Sequence, residues 1–329
     1  MRSVGLDLAR GLLMIYIIVV IHGVFWLNLL PRPYNSVLLI EMPLIFLVSG
    51  YAFALTNINR QFGSRPSYFS FVKLRVSRIL IPYFIYAIAC AAIVIFYRKD
   101  LNFFDVIYAW MNPWNYGQGY SVGLLNWHLW FIPIFLIITL VCPLFEFCDY
   151  LHKSTELHFV VFILLFLFLS FLDSELQTPA FYLIWTFLGY KMGCGWLINK
   201  KFFLLLSFWG LTSLLANGIL FNQSLDMQNN KFPPNHLFLA FSCISVSIIL
   251  FASKRVPETV IDSLSKNRVI EVFMSKGYSL FLWQGVGYSI AVSLRDAINL
   301  NVIATWLFAI SFTILFGFGA SSFEKLKLK

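Results

Sequence analysis

The chain has 329 residues, 60% of them hydrophobic and only 12% charged, with a mean hydropathy of +0.79. A water-soluble domain of this size cannot hide that much apolar surface, whereas a polytopic helical membrane protein need not. The formal charge of +9 does not point to nucleic acid, because the basic residues are scattered between apolar segments and read as topology signals.

Ten apolar stretches have spanning length, at about 8–30, 35–56, 79–97, 127–147, 157–172, 180–198, 203–221, 236–252, 277–294 and 301–320. Alternation of period two is absent, so helices are the economical reading. The predicted fold is an all-α, polytopic membrane protein with about ten transmembrane helices. With the N-terminus in the cytoplasm, 19 of the 24 Lys and Arg fall on the inner side, and five stay outside (Arg32, Arg98, Lys99, Lys231 and Arg295). That asymmetry supports an even number of spans and two cytoplasmic termini. A single membrane-embedded domain over 1–329 is expected, with no appended soluble domain, located in the plasma (cytoplasmic, inner) membrane. The five cysteines form no CxxC pair, so neither a disulfide framework nor a metal site is expected.

In the first stretch His22 follows Arg10 by twelve residues, which is about 18 Å of helix. The second stretch runs back, and Glu41 lies about 9 Å into it, at a depth similar to His22. Ionisable groups in a bilayer core are costly and usually functional. A carboxylate beside an imidazole orients the ring and raises its basicity, and such a His suits a general base acting on a hydroxyl. The same pair also reads as a buried hydrogen bond that fixes helix packing.

An inner loop at 57–78 follows, with five basic residues. Its Arg75 and Arg78 share a helix face at i and i+3. They read either as a grip on phosphate groups or as ordinary anchoring to anionic lipid. The outer loop 98–126 is polar and aromatic. At the entrance of the fourth stretch, Trp127, His128 and Trp130 read as interfacial anchors or as rings that stack on a sugar. In the ninth stretch Gln284 is an interhelical hydrogen bond or lines a cavity.

These segments together resemble a known family. Asp7-Leu8-Ala9-Arg10-Gly11-Leu12 with His22 looks like the first helix of the acyltransferase 3 family of integral-membrane acyltransferases. Glu41-Met42-Pro43-Leu44 with Ser49-Gly50-Tyr51 looks like its second helix, and Arg75-Val76-Ser77-Arg78 like its RxxR element. Trp127-His128-Leu129-Trp130-Phe131 and Tyr278-Ser279-Leu280-Phe281-Leu282-Trp283 are similar to later stretches of that family. The resemblance implies about ten spans, a cytoplasmic acyl-CoA donor and an extracytoplasmic sugar hydroxyl as acceptor. It implies that His22 is catalytic and that Arg10, Arg75 and Arg78 bind the donor phosphates.

Two departures stand out. Eleven residues separate Arg10 from His22, where the family usually has ten. One extra residue turns His22 by about 100° on an α-helix. Either the helix contains a π-bulge, or the two groups no longer line one groove. The second departure is Gln284, where relatives often have His.

The expected function is transfer of an acyl group, acetyl first, from acyl-CoA to a hydroxyl of a surface polysaccharide or lipid-linked sugar. His22 acts as general base or acyl acceptor, oriented by Glu41, and no metal takes part. Membrane lipid is a partner and nucleic acid is not. The rival readings are a transporter or flippase of a glycan intermediate, an enzyme using succinyl or another acyl donor, and an assembly partner without chemistry.

Overall fold

The computed structural model describes residues 4–57, 65–148, 155–169, 172, 174–195, 200–220 and 224–323, and among these it is helical with no strand. Helix α1 (Val4–Ile15) continues through a π-helical turn (Tyr16–Ile21) into α2 (His22–Trp26). A 3-10 segment (Tyr34–Leu38) leads into α3 (Glu41–Asn57), followed by α4 (Arg65–Tyr97), α5 (Phe103–Met111) and α6 (Phe131–Val141), which runs on as a 3-10 segment to Cys148. Then come α7 (Thr155–Leu169), α8 (Ser174–Gly193), α9 (Lys200–Leu220), the short α10 (Met227–Asn230), α11 (His236–Ser253), α12 (Glu258–Ser265), α13 (Arg268–Ile298) and α14 (Val302–Phe323).

Each of the ten apolar stretches overlaps a helix among the described residues, with residues 170–171, 196–198 and 221 of three stretches lying outside them. Among the described residues, six segments are long and apolar enough to cross a membrane: Val4–Trp26, Tyr34–Thr56, Tyr68–Tyr97, Lys201–Leu220, His236–Ser253 and Val302–Phe323. The other four differ for visible reasons. The apolar run Phe131–Glu146 is short, α7 has 15 residues, and α8 and α13 dilute their apolar runs with Gly, Ser and charged residues.

The loops are more structured than their sequence suggests. Of the expected inner loop 57–78, residues 58–64 lie outside the described residues, and from Arg65 onward the chain is already helix, so the RxxR element is part of α4. The loop 98–126 carries α5, whose N-cap Asn102 accepts from Phe104 N at 2.8 Å. That bond satisfies one of the free amides at a helix start.

The helices group into two compact units. The first comprises Met1–Ala9, Leu30–Tyr68 and Leu140–Lys266, and the second Arg10–Leu29, Phe69–Thr139 and Asn267–Lys329. In the first unit α3 and α8 touch backbone to backbone. A Cβ on Gly50 would lie 1.8 Å from the Thr186 carbonyl oxygen, and one on Gly189 would lie 1.8 Å from that of Leu47. Between apolar helices, where lipid competes equally for side chains, small residues allow the close approach that drives association.

In the second unit α4 is tied to the 98–130 region by two buried phenols. Tyr83 Oη donates to the Trp110 carbonyl at 2.7 Å and Tyr86 Oη to that of Leu125 at 2.7 Å. Tyr278 Oη of α13 donates to the Ile79 carbonyl of α4 at 3.0 Å. Each bond satisfies a carbonyl and fixes the relative height of two elements. The segment holding His128 is placed in this way.

Candidate active site

The π-helical turn answers the spacing question at Arg10 and His22. Five of its six residues, Tyr16-Ile17-Ile18-Val19-Val20-Ile21, are β-branched, and such side chains crowd their i+3 and i+4 neighbours in an α-helix. A wider turn relieves that crowding and absorbs one residue. An unbroken α-helix would set Arg10 and His22 about 120° apart around the axis; with one residue absorbed they fall within about 20°. They share a face.

The wider turn changes which carbonyls find helical partners, and two side chains supply donors there. Tyr288 Oη of α13 donates to the Ile18 carbonyl at 2.8 Å, and Trp306 Nε1 of α14 donates to that of Val19 at 2.8 Å. Both bonds lie within four residues of His22, so the π-turn is held from two neighbouring helices.

His22 is half-buried and stacks on Trp26, one turn further along, with ring centroids 4.1 Å apart. Trp26 in turn meets Tyr288 edge-on at 5.1 Å. The Nδ1 of His22 lies 2.6 Å from Oε1 of Gln284 on α13. An amide oxygen only accepts, so Nδ1 is the donor of this pair, and in the neutral ring Nε2 is the basic nitrogen. That is the tautomer a general base needs. Gln284 is fully buried, and its Nε2 has no hydrogen-bond partner among the described residues.

His128 completes the group. Its ring centroid lies 6.4 Å from that of His22, 5.8 Å from Trp26 and 5.2 Å from Phe281. Its Nε2 is 3.0 Å from the Leu282 carbonyl oxygen, so that nitrogen is the donor. The buried Nδ1 is then an acceptor, without a partner among the described residues. Gly285 makes room for this ring, since a Cβ there would lie 2.7 Å from His128 Cε1.

The second unit thus carries Arg10, His22, Arg75, Arg78, Trp127, His128 and Trp130. Arg78 is exposed and Arg75 half-buried on α4, with the Arg75 guanidinium 5.5 Å from the Phe71 ring centre. Trp127 is 60% exposed and free to meet a ligand, whereas Trp130 is half-buried. His128 corrects its reading as an interfacial residue, because it is 2% exposed.

Glu41, expected to orient His22, has its observed partner elsewhere. It belongs to the first unit, where its Oε1 is 2.5 Å from Lys231 Nζ, and both side chains are almost fully buried. The group on His22 Nδ1 is the Gln284 amide. A buried carboxylate needs a neutralising partner, and within the first unit an ammonium supplies it. Lys231, read as an outer-loop residue, is that partner. Gln284 was visible in the sequence as a polar residue inside an apolar stretch. Its pairing with His22, 262 positions away, was not. Among the described residues no group of three or more His, Cys, Asp or Glu is placed to hold a metal.

The chain matches the acyltransferase domain of the acyltransferase 3 type over residues 3–321 and belongs to that family. No curated protein and no solved structure matches it. It is therefore a helical, membrane-type member of an acyltransferase family, and acyl transfer from a donor to an acceptor is the chemistry of that family.

Proposed function

We propose that this protein transfers an acyl group, acetyl first, from cytoplasmic acyl-CoA to a hydroxyl of an extracytoplasmic sugar in a surface polysaccharide or lipid-linked glycan. In this reading the chain crosses the cytoplasmic membrane ten times with both ends inside. Arg10, Arg75 and Arg78 hold the donor phosphates at the inner face. The distance from Arg10 to His22, about 18 Å along the helix, is one that an extended pantetheine arm covers. His22 takes the proton of the sugar hydroxyl, and Trp127 and Trp130 face the sugar. Gln284 takes the orienting place first expected for Glu41, and Glu41 with Lys231 is structural.

The observation that carries this reading is the His22–Gln284 bond. It supports Nε2 as the basic nitrogen of the neutral ring, at the end of a helix face that begins with an arginine. A transporter has no need for a defined imidazole tautomer there. The test compares O-acyl groups on the host's surface glycans by NMR in wild type, a deletion strain and expression-matched His22→Ala. Loss of one acyl signal in both mutants is expected. An unchanged signal in His22→Ala sinks the assignment of His22. Altered glycan amount without altered acylation in the deletion moves the reading to transport.

A further inference from the structure

We infer that Gln284 is a catalytic residue, whose side-chain N–H holds the oxyanion formed during acyl transfer, while its oxygen orients His22. The inference rests on the acyl-transfer reading above.

The argument is an inventory of donors and acceptors around His22. The reaction needs an acceptor for the hydroxyl proton and a donor for the negative charge that develops on the carbonyl oxygen. His22 Nε2 is the acceptor, because Nδ1 is committed to Gln284 Oε1. His128 offers no donor, because its Nε2–H is committed to the Leu282 carbonyl and its Nδ1 is a lone pair. Trp26 stacks on His22 and meets His128 and Tyr288, but it is only partly buried, so its indole N–H is not a donor held unpaired in the interior as the Gln284 amide is. Trp283 has an unpartnered Nε1, but its ring packs on Tyr86 and Phe316 rather than on His22.

Gln284 Nε2 is a buried, unpartnered donor carried by the same side chain that holds His22. It sits on the same amide carbon as the oxygen that grips His22, is fully buried, and is without a partner among the described residues. Leaving a buried amide N–H unpaired is costly. A donor kept that way in a protein interior is preorganised for something that arrives later.

The step then balances. The sugar hydroxyl gives its proton to His22 Nε2 as its oxygen attacks the thioester carbonyl carbon. The carbonyl π electrons move onto oxygen, where the Gln284 N–H meets them. When the oxyanion collapses, the carbon–sulfur bond breaks and the thiolate leaves, taking the proton from the His22 imidazolium. One ester and one free thiol result.

Gln284→Glu separates the two roles of this side chain. A carboxylate still accepts from His22 Nδ1, and does so more strongly, but has no N–H to give. The measurement is thiol release from acetyl-CoA in membranes containing the full-length protein, with binding of a non-transferable thioether analogue of acetyl-CoA alongside. For Gln284→Glu we expect turnover to fall by about 100-fold or more, with analogue binding within about twofold of wild type. Turnover near wild type in Gln284→Glu overturns the inference and leaves Gln284 a positioning residue.

If Gln284→Glu does not fold, Gln284→His and Gln284→Met decide. Neutral imidazole keeps one acceptor and one donor, and turnover within about tenfold of wild type is expected. Methionine keeps neither, and wild-type turnover in Gln284→Met overturns the inference. His22→Ala, run in parallel, tells the two failures apart: wild-type turnover there defeats the underlying acyl-transfer assignment, whatever the Gln284 variants do.

Discussion

Glu41 and His22 both sit inside apolar helices, and the protein treats them in opposite ways. In the first unit, Glu41 is locked to a buried lysine at 2.5 Å. In the second, His22 is held by a neutral amide at 2.6 Å, with an aromatic ring stacked on its face. Glu41 has its charge compensated where it stands. His22 meets a neutral acceptor at its Nδ1. The lesson is about what each partner permits. An ion pair stabilises one protonation state and resists change. An amide fixes which nitrogen is basic without fixing whether it is charged. Burial alone does not mark a reactive group; the kind of partner does.

The largest effect that breaks this comparison is expected at Lys231. Lys231→Met leaves the Glu41 carboxylate buried and uncompensated, which typically costs about 3–5 kcal/mol. Thermal unfolding in detergent should show a large loss, while Glu41→Gln combined with Lys231→Met recovers most of it. Acyl transfer in the recovered double variant is the sharper readout. Activity near wild type places the pair in structure alone, and a stable but inactive double variant returns Glu41 to the chemistry.

A smaller effect is expected at the π-turn. Tyr288→Phe removes the donor from the Ile18 carbonyl, and Trp306→Phe removes the one from Val19. Each loses about 1 kcal/mol of stability, the net contribution of one hydrogen bond. Each should also slow acyl transfer by about tenfold, because relaxing the π-turn re-aims His22. Deleting one residue from Ile17–Val20 is the complementary change. It keeps the face shared by Arg10 and His22 on a plain α-helix and should tolerate Tyr288→Phe better than wild type does.

The π-turn also shows what was legible in the sequence. The helices and the Arg and His on the first of them follow from local counting, because rise and turn are properties of contiguous chain; the misfit of one residue came from the family resemblance. The partners do not. Glu41 and Lys231 are 190 positions apart, and His22 and Gln284 are 262 apart. No periodicity links such pairs, and proximity in depth made Glu41 look like the neighbour of His22. His128 was obscured for a different reason: flanked by Trp127 and Trp130, it has the composition of a membrane interface, and its burial and its bond to the Leu282 carbonyl show that its ring turns inward.

The smallest effect is expected where charge meets water. Arg78 is exposed on α4, and exposed ion pairs are worth only about 0.2–1 kcal/mol. Arg78→Ala should therefore raise KM for acyl-CoA by no more than about fivefold, and raised salt should blunt the difference further. Turnover at saturating donor should hardly change, because a phosphate contact far from the thioester binds ground state and transition state alike. Arg78→Lys separates charge from fork geometry: a KM close to that of the alanine variant means that the planar guanidinium grips phosphate with two bonds, and a wild-type KM means that a point charge suffices. A fall in turnover equal to the fall in kcat/KM would mean that Arg78 is felt at the reacting centre. In that case the chemistry reaches the end of α4, and the contrast between a reactive His22 and an anchoring arginine pair has to be redrawn.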